Sequence, residues 1–254
     1  MRIIVCCKVV PEEQDISVTT DRRLDLSRAT AKISQYDLNA IECAMQLAGP
    51  DDQVIALTAG PKKWLDNTKI RKDILSRGPA SLEIVMDDKL ADALPEATAD
   101  VLAAAVRKLG FDLVICGEGS GDLYAQQVGP LLGEKLGVPS INAVQAAALE
   151  GGSLVVERAL DQEVEILEMS LPAAIAVTSD INVPKIPTMK AILAAGKKPS
   201  NVQDCAACGV EPKAFVEIVS VLAPEASERL NKIVEGDGDD AVAAFVESIR
   251  KVLQ

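Results

Sequence analysis

The chain has 254 residues, a net charge of −12 and 48% hydrophobic residues, with aromatics held to 2%. So much aliphatic material supports one large domain or a domain with an appendage, and the negative balance excludes a general nucleic-acid or anionic-membrane binder, which needs a positive field. Histidine is absent, which removes the commonest general base and nitrogen metal ligand and leaves amides, carboxylates, lysines, hydroxyls, thiols or a bound cofactor to do any chemistry.

The first segment, RIIVCCKVV (2–10), is an almost unbroken apolar run and is expected to form a buried strand. Lys8 within it, and the acidic residues straight after Pro11, argue against a secretory leader. A helix follows at 38–48, with Asp37 as its expected cap. QVIALTAG (53–60), SLEIVMD (81–87), FDLVICG (111–117) and PAAIAVTSD (172–180) are further strand candidates, separated by helical patterns at 66–76, 92–109 and 124–136. Within 92–109, Leu94, Val101, Leu102, Ala105 and Leu109 fall near one stripe. Trp64, beside the second crossover helix, is expected in a helix–sheet or subunit contact.

This alternation predicts a doubly wound, mostly parallel α/β sheet with helices on both faces. SLVVERALDQEVEILEMSLP (153–172) breaks it and reads as an antiparallel hairpin turning at Asp161-Gln162. The chain is therefore divided into an α/β domain at 1–200 and a C-terminal arm at 201–254. In the arm Val242, Phe245, Val246, Ile249, Val252 and Leu253 make one apolar helical stripe behind a cap at Asp240. That stripe must be covered, and another chain is one candidate.

No apolar stretch approaches the roughly 18 residues of a membrane span, and six scattered cysteines suit a reduced, cytoplasmic protein. Cys205 and Cys208 form a CxxC, but Cys6, Cys7, Cys43 and Cys116 stand at no ligand spacing, so no metal site is expected. Cys6, Cys7 and Cys116 read as small buried apolar residues.

GEGSGD (117–122) follows a strand and precedes a helix. Gly117, Gly119 and Gly121 would let the backbone approach a ligand, and amides at a helix start favour an anion. The spacing is neither the dinucleotide fingerprint nor a P-loop. A bare tight bend therefore competes with a nucleotide cradle. The turns TAGP (58–61) and CKVVP (7–11) favour the cradle, because loops after parallel strands converge on one crevice.

Four stretches, KISQYDLNAIECA (32–44), SRGP (76–79), SGDLYAQQVGP (120–130) and SDINVPKIPTMKAIL (179–193), resemble the electron-transfer flavoprotein β subunit family, closest to its branch associated with carnitine metabolism and nitrogen fixation. The resemblance implies an adenine-nucleotide α-hydrolase-like (Rossmann-like) fold and a heterodimer with an α subunit that carries most contacts to an electron-carrying FAD. It implies AMP on this chain, or a second FAD in electron-bifurcating members that oxidise NADH. It also implies an electron-carrier subunit, not a stand-alone enzyme, working between dehydrogenases of the acyl-CoA type and an acceptor such as a quinone oxidoreductase.

The cofactor-binding positions it implies are Cys6, Lys8, Ser34, Ala59 and Gly60, then Asp122, Tyr124, Gln126, Gln127, Val128 and Gly129, to which the turn itself adds Gly117, Gly119 and Gly121. It implies a partner-recognition loop at 182–190 presenting Ile186, with Pro187 and Met189. The chain departs from the family at Tyr124 and Ala125, where an Asp and then a Thr or Cys are usual. It also departs at Ser34, where Asn is common, and at Ala159, where some relatives carry a flavin-side glutamate. A nucleotide-hydrolysing or adenylating enzyme on the same fold is the rival of another class; it lacks an SGGxDS-type loop here.

Overall fold

A computed structural model describes residues 1–225, 231–250 and 252. In chain order the strands are β1 (Arg2–Cys6), β2 (Val9–Pro11), β3 (Ser17–Val18), β4 (Leu24–Asp25), β5 (Ala31–Ile33), β6 (Gln53–Gly60), β7 (Ser81–Met86), β8 (Leu113–Gly117), β9 (Ser140–Glu150), β10 (Ser153–Ala159), β11 (Val164–Met169), β12 (Ala173–Val177) and β13 (Ser200–Gln203). The helices are α1 (Gln35–Leu47), α2 (Lys62–Leu65), α3 (Thr68–Ser76), α4 (Pro95–Leu109), α5 (Val128–Leu136), α6 (Met189–Ala195) and α7 (Asp239–Arg250).

Among the described residues nine strands form one sheet in the order β11-β10-β9-β12-β8-β1-β6-β7-β13. Every pairing from β9 to β13 along that order is parallel, and β10 pairs antiparallel with β9 and β11. Two small antiparallel pairs, β2 with β5 and β3 with β4, stand apart from it. The expected doubly wound α/β sheet with an added hairpin is what the chain forms.

Alternation along each central strand feeds two cores, one per face. Ile3 and Val5 of β1, Leu113 and Ile115 of β8 and Ile175 of β12 meet Ile41 and Ala44 of α1 and Ile70 and Ile74 of α3. Ile4, Cys6, Val114, Cys116 and Ala174 meet Val101, Leu102 and Val106 of α4 and Leu132 of α5. Side chains this small let helices sit close to the sheet: Gly129 of α5 lies where a Cβ would come 2.8 Å from the Ala176 Cβ of β12.

Several expected boundaries move. The run 2–10 splits, because the chain turns after Cys6 and the Lys8 amide donates to Asp37 Oδ2 at 2.7 Å instead of extending the strand. The helix expected from 124 starts at Val128, because Tyr124 (φ 45°) and Gln126 (φ 56°) are held in the left-handed region. The 66–76 pattern forms as α3, capped by Asn67, whose side chain accepts from the Lys69 and Ile70 amides, and a short helix not expected from the sequence, α2, precedes it. Asp37 does not cap α1: it lies inside the first turn, and Ser34 precedes the helix. Asp240 likewise falls inside α7, which begins at Asp239. Within α7 and just after it, Val242, Phe245, Val246, Ile249 and Val252 are all exposed; Leu253 lies outside the described residues. The hairpin at 153–172 forms as β10 and β11. No helix among the described residues is long and apolar enough to cross a membrane.

Candidate functional site

β1 is flanked by β6 on one side and β8 on the other, so successive crossovers diverge there and leave a crevice at the carboxyl ends of the strands. A cavity of about 280 Å³ occupies that crevice. Its floor is Cys6 to Lys8 after β1, Ala59 and Gly60 at the end of β6, and Cys116 and Gly117 at the end of β8.

Asp37 holds the floor together. Its buried carboxylate accepts from the Lys8 amide at 2.7 Å and from the Gly117 amide at 3.1 Å, tying the turns after β1 and β8 to α1. Burial pushes its pKa up to about 7, against the pull of the two amides and the nearby Lys8 charge. The thiols of Cys6 and Cys7 are pushed well up too, Cys6 by its hydrogen bond with Cys116 and by burial, Cys7 chiefly by burial. Neither is a ready thiolate nucleophile.

The glycine turn serves the chain's own packing first. A Cβ on Gly117 would stand 2.7 Å from Asp37 Oδ1 and 2.8 Å from the Tyr36 carbonyl carbon, and one on Gly119 would strike the Tyr124 ring. Tyr124 in turn packs on Tyr36, ring centroids 5.0 Å apart. Gly121 is under no such constraint, since its Cβ would meet only Val10 Cγ2 at 3.7 Å.

One wall is polar. Lys8 Nζ bridges both carboxylate oxygens of Asp122, at 2.8 and 2.7 Å, and Ser120 Oγ donates to the same group. Another part of the lining is mostly apolar: Trp64 and Leu65 of α2, Leu90 and Leu94 from the β7–α4 connection and Pro95 at the start of α4, with Asp92 among them. Ile218, from the arm, also lines the cavity, and the arm is pinned further on by the Ala223 amide donating to the Arg22 carbonyl at 2.8 Å.

Of the residues singled out from the sequence, Cys6, Lys8, Ala59, Gly60, Gly117, Gly119, Asp122, Gln126, Gln127 and Val128 line this one cavity. Ser34, Gly121, Tyr124 and Gly129 do not line it: the fully buried Ser34 accepts the Gly121 amide at 3.3 Å, Tyr124 is exposed, and Gly129 packs on β12. Trp64, expected in a helix–sheet or subunit contact, packs partly against the core and also lines the cavity, and the 90–95 segment went unnoticed as wall residues. The rule that picked out TAGP, a loop following a parallel strand, applies equally to the residues after β7 and would have found them.

Ile186 sits elsewhere, at the tip of a loop, and is 90% exposed, with Val183 and Met189 also largely exposed. The loop base is fastened to α1. Asn39 Nδ2 donates to the Asn182 carbonyl at 2.8 Å, Asn182 Nδ2 donates to the Asn39 carbonyl at 3.0 Å, and Lys185 Nζ pairs with Glu42 at 2.8 Å. Cys205 is buried beneath the turn that follows β13, its amide donating to Asp87 at 3.3 Å and its thiol pushed up to about 12 chiefly by burial. No group of three or more His, Cys, Asp or Glu suited to a metal ion occurs among the described residues.

Residues 23–207 match the family model of the electron transfer flavoprotein domain.

Proposed function

Because the chain belongs to the electron transfer flavoprotein family, we propose that it is the β-type subunit of an electron-carrying heterodimer, with an adenine nucleotide in the switch-point cavity and the Ile186 loop as its dock for redox partners. The observation that carries this reading is the convergence of the family-implied positions on one crevice at the carboxyl ends of β1, β6 and β8. Bound FAD supplies the electron chemistry in this family; this chain's residues position ligands and present surfaces.

The residues fit a mononucleotide. A cavity of about 280 Å³ falls just below the roughly 300–1,000 Å³ usual for ligand clefts, which favours AMP over a whole FAD held by this chain alone. Trp64, Leu90, Leu94 and Pro95 offer an apolar surface suited to a base, and Lys8 and Ser120 supply polar groups in the same lining. The electron-carrying FAD then lies mainly on the α subunit, and the exposed apolar row of α7 is the surface that meets that subunit.

The dock is built for exposure. Hydrogen bonds and an ion pair from α1 hold Asn182 and Lys185 on the incoming side of the loop, and Ile186 beside them stays outside although it is apolar. Acyl-CoA-type dehydrogenases and a quinone oxidoreductase are the partner classes this reading assigns to it. Copurification tests the assignment: co-expressed with an α-type subunit of the family, the chain should elute as a yellow heterodimer. A colourless homodimer with nucleotide-hydrolysing turnover would replace this reading with the rival enzyme.

A further inference from the structure

Lys8 is the only cation among the described residues lining the cavity, and it is already paired. Its Nζ lies 2.8 and 2.7 Å from the two oxygens of Asp122. Ser120 Oγ donates to Oδ1 at 2.5 Å, and the Leu123 amide donates to the same oxygen at 2.8 Å. An ammonium, a hydroxyl and an amide thus converge on one carboxylate at the cavity wall. That is the donor set a phosphate monoester would use, at the same distances.

The rest of the lining makes matters worse for an anion. Asp92 and Glu118 also face the cavity. A phosphate arriving with Asp122 in place would find its cation neutralised and further carboxylates around it, a repulsion that a partly buried site screens poorly. Burial pushes Asp122 toward its neutral form, but its hydrogen bonds with Lys8 and Ser120 outweigh that and keep its pKa below the usual carboxylate value. It therefore stays ionised at neutral pH.

We propose that Asp122 is an internal occupant of the cavity's anion position, competing with the phosphate of an incoming nucleotide. The cavity then selects its ligand mainly by the nucleoside and gains phosphate contacts only when the 121–127 loop carries the carboxylate away from Lys8. Those residues are exposed, so the loop has room to move. The inference rests on the nucleotide reading above and adds that AMP must displace Asp122 from Lys8 before its phosphate can be held.

The test uses the full-length chain, stripped of copurified nucleotide, with Asp122→Ala, Asp122→Asn and the double variant Lys8→Met/Asp122→Ala. Trp64, the sole tryptophan, lines the cavity and reports nucleoside binding by fluorescence. Equilibrium dialysis measures inorganic phosphate. Asp122→Ala should bind inorganic phosphate and AMP roughly tenfold or more tighter than wild type, as expected for exchanging an internal charge-assisted contact for a ligand's, while adenosine changes little. Asp122→Asn, which keeps the shape and loses the charge, should shift the same way by a smaller factor. The double variant should lose the gain.

Unchanged or weakened phosphate binding in both single variants would overturn the proposal, as would an equal gain for adenosine and AMP. Failure of the nucleotide reading looks different. Adenosine and AMP would then bind no variant, while inorganic phosphate alone still decides whether Asp122 blocks a cradle.

Discussion

Asp37 is one carboxylate serving two backbone amides from turns that are far apart in the sequence. From the sequence it looked like a cap, since an aspartate just ahead of an apolar helical run ordinarily is one; only the tertiary approach of Lys8 and Gly117 reveals its task. Its pKa is raised from the model-compound 3.8 to about 7. The native state therefore retains a proton that the unfolded chain has released. The stabilisation this confers is complete below about pH 4 and is lost as pH rises through about 7. Asp37→Asn never ionises, so its melting temperature relative to wild type should climb by a few degrees between about pH 4.5 and 8. A difference that stays flat across that range, followed by calorimetry, would mean that Asp37 is ionised throughout.

Gly117 belongs to the same arrangement. An added Cβ would press on the Asp37 carboxylate and on backbone at Tyr36, so Gly117→Ala should cost about 1–3 kcal/mol in chemical denaturation, the usual scale of overpacking. Gly121→Ala, with open space around it, should cost much less. Equal stability of the two variants would refute the packing account of the turn. The sequence showed three glycines in every second position but could not rank them, because the ranking is set by Tyr36 and Asp37 of α1 and by Tyr124, whose ring folds back onto the turn.

At the level of elements, the strands legible in the sequence were those buried on both faces, such as β6 and β8, whose apolar runs are continuous. β9 was missed: its SINAVQAAALE is alanine-rich and only partly buried, so neither alternation nor a solid apolar run marks it. β13 is four largely exposed residues whose strand state comes from pairing with β7. The start of α5 was placed too early because propensity does not anticipate left-handed backbone at Tyr124 and Gln126. The Ile186 loop was legible as a loop from its prolines, and its clamp by Asn39 and Glu42 was not. Ile186→Ala should leave the melting temperature and ligand content unchanged, because the side chain is already in solvent. It should slow electron transfer to a partner dehydrogenase or quinone reductase roughly tenfold or more at limiting partner, on the scale of an interface hot spot. Normal partner kinetics in stopped-flow would remove the loop from the recognition surface.

For the whole molecule, the class of fold followed from the alternation of elements and the scarcity of aromatics, whereas the cavity depends on strand order, which no local pattern encodes. The order turns back at β1, and that reversal brings Lys8, the glycine turn, Trp64 and the residues after β7 around one space. Among the exposed apolar surfaces of the described residues are the Ile186 loop and the α7 row, consistent with a subunit that has more than one protein neighbour. The measurement that bears most directly on the account is the nucleotide content of the heterodimer formed with an α-type subunit, extracted under denaturing conditions and separated by chromatography. The account predicts one FAD and one AMP per heterodimer, with the AMP reduced in a variant that fills the cavity, such as Ala59→Trp, and the FAD retained. Two FAD and no AMP, or FAD with no adenine mononucleotide at all, would contradict it.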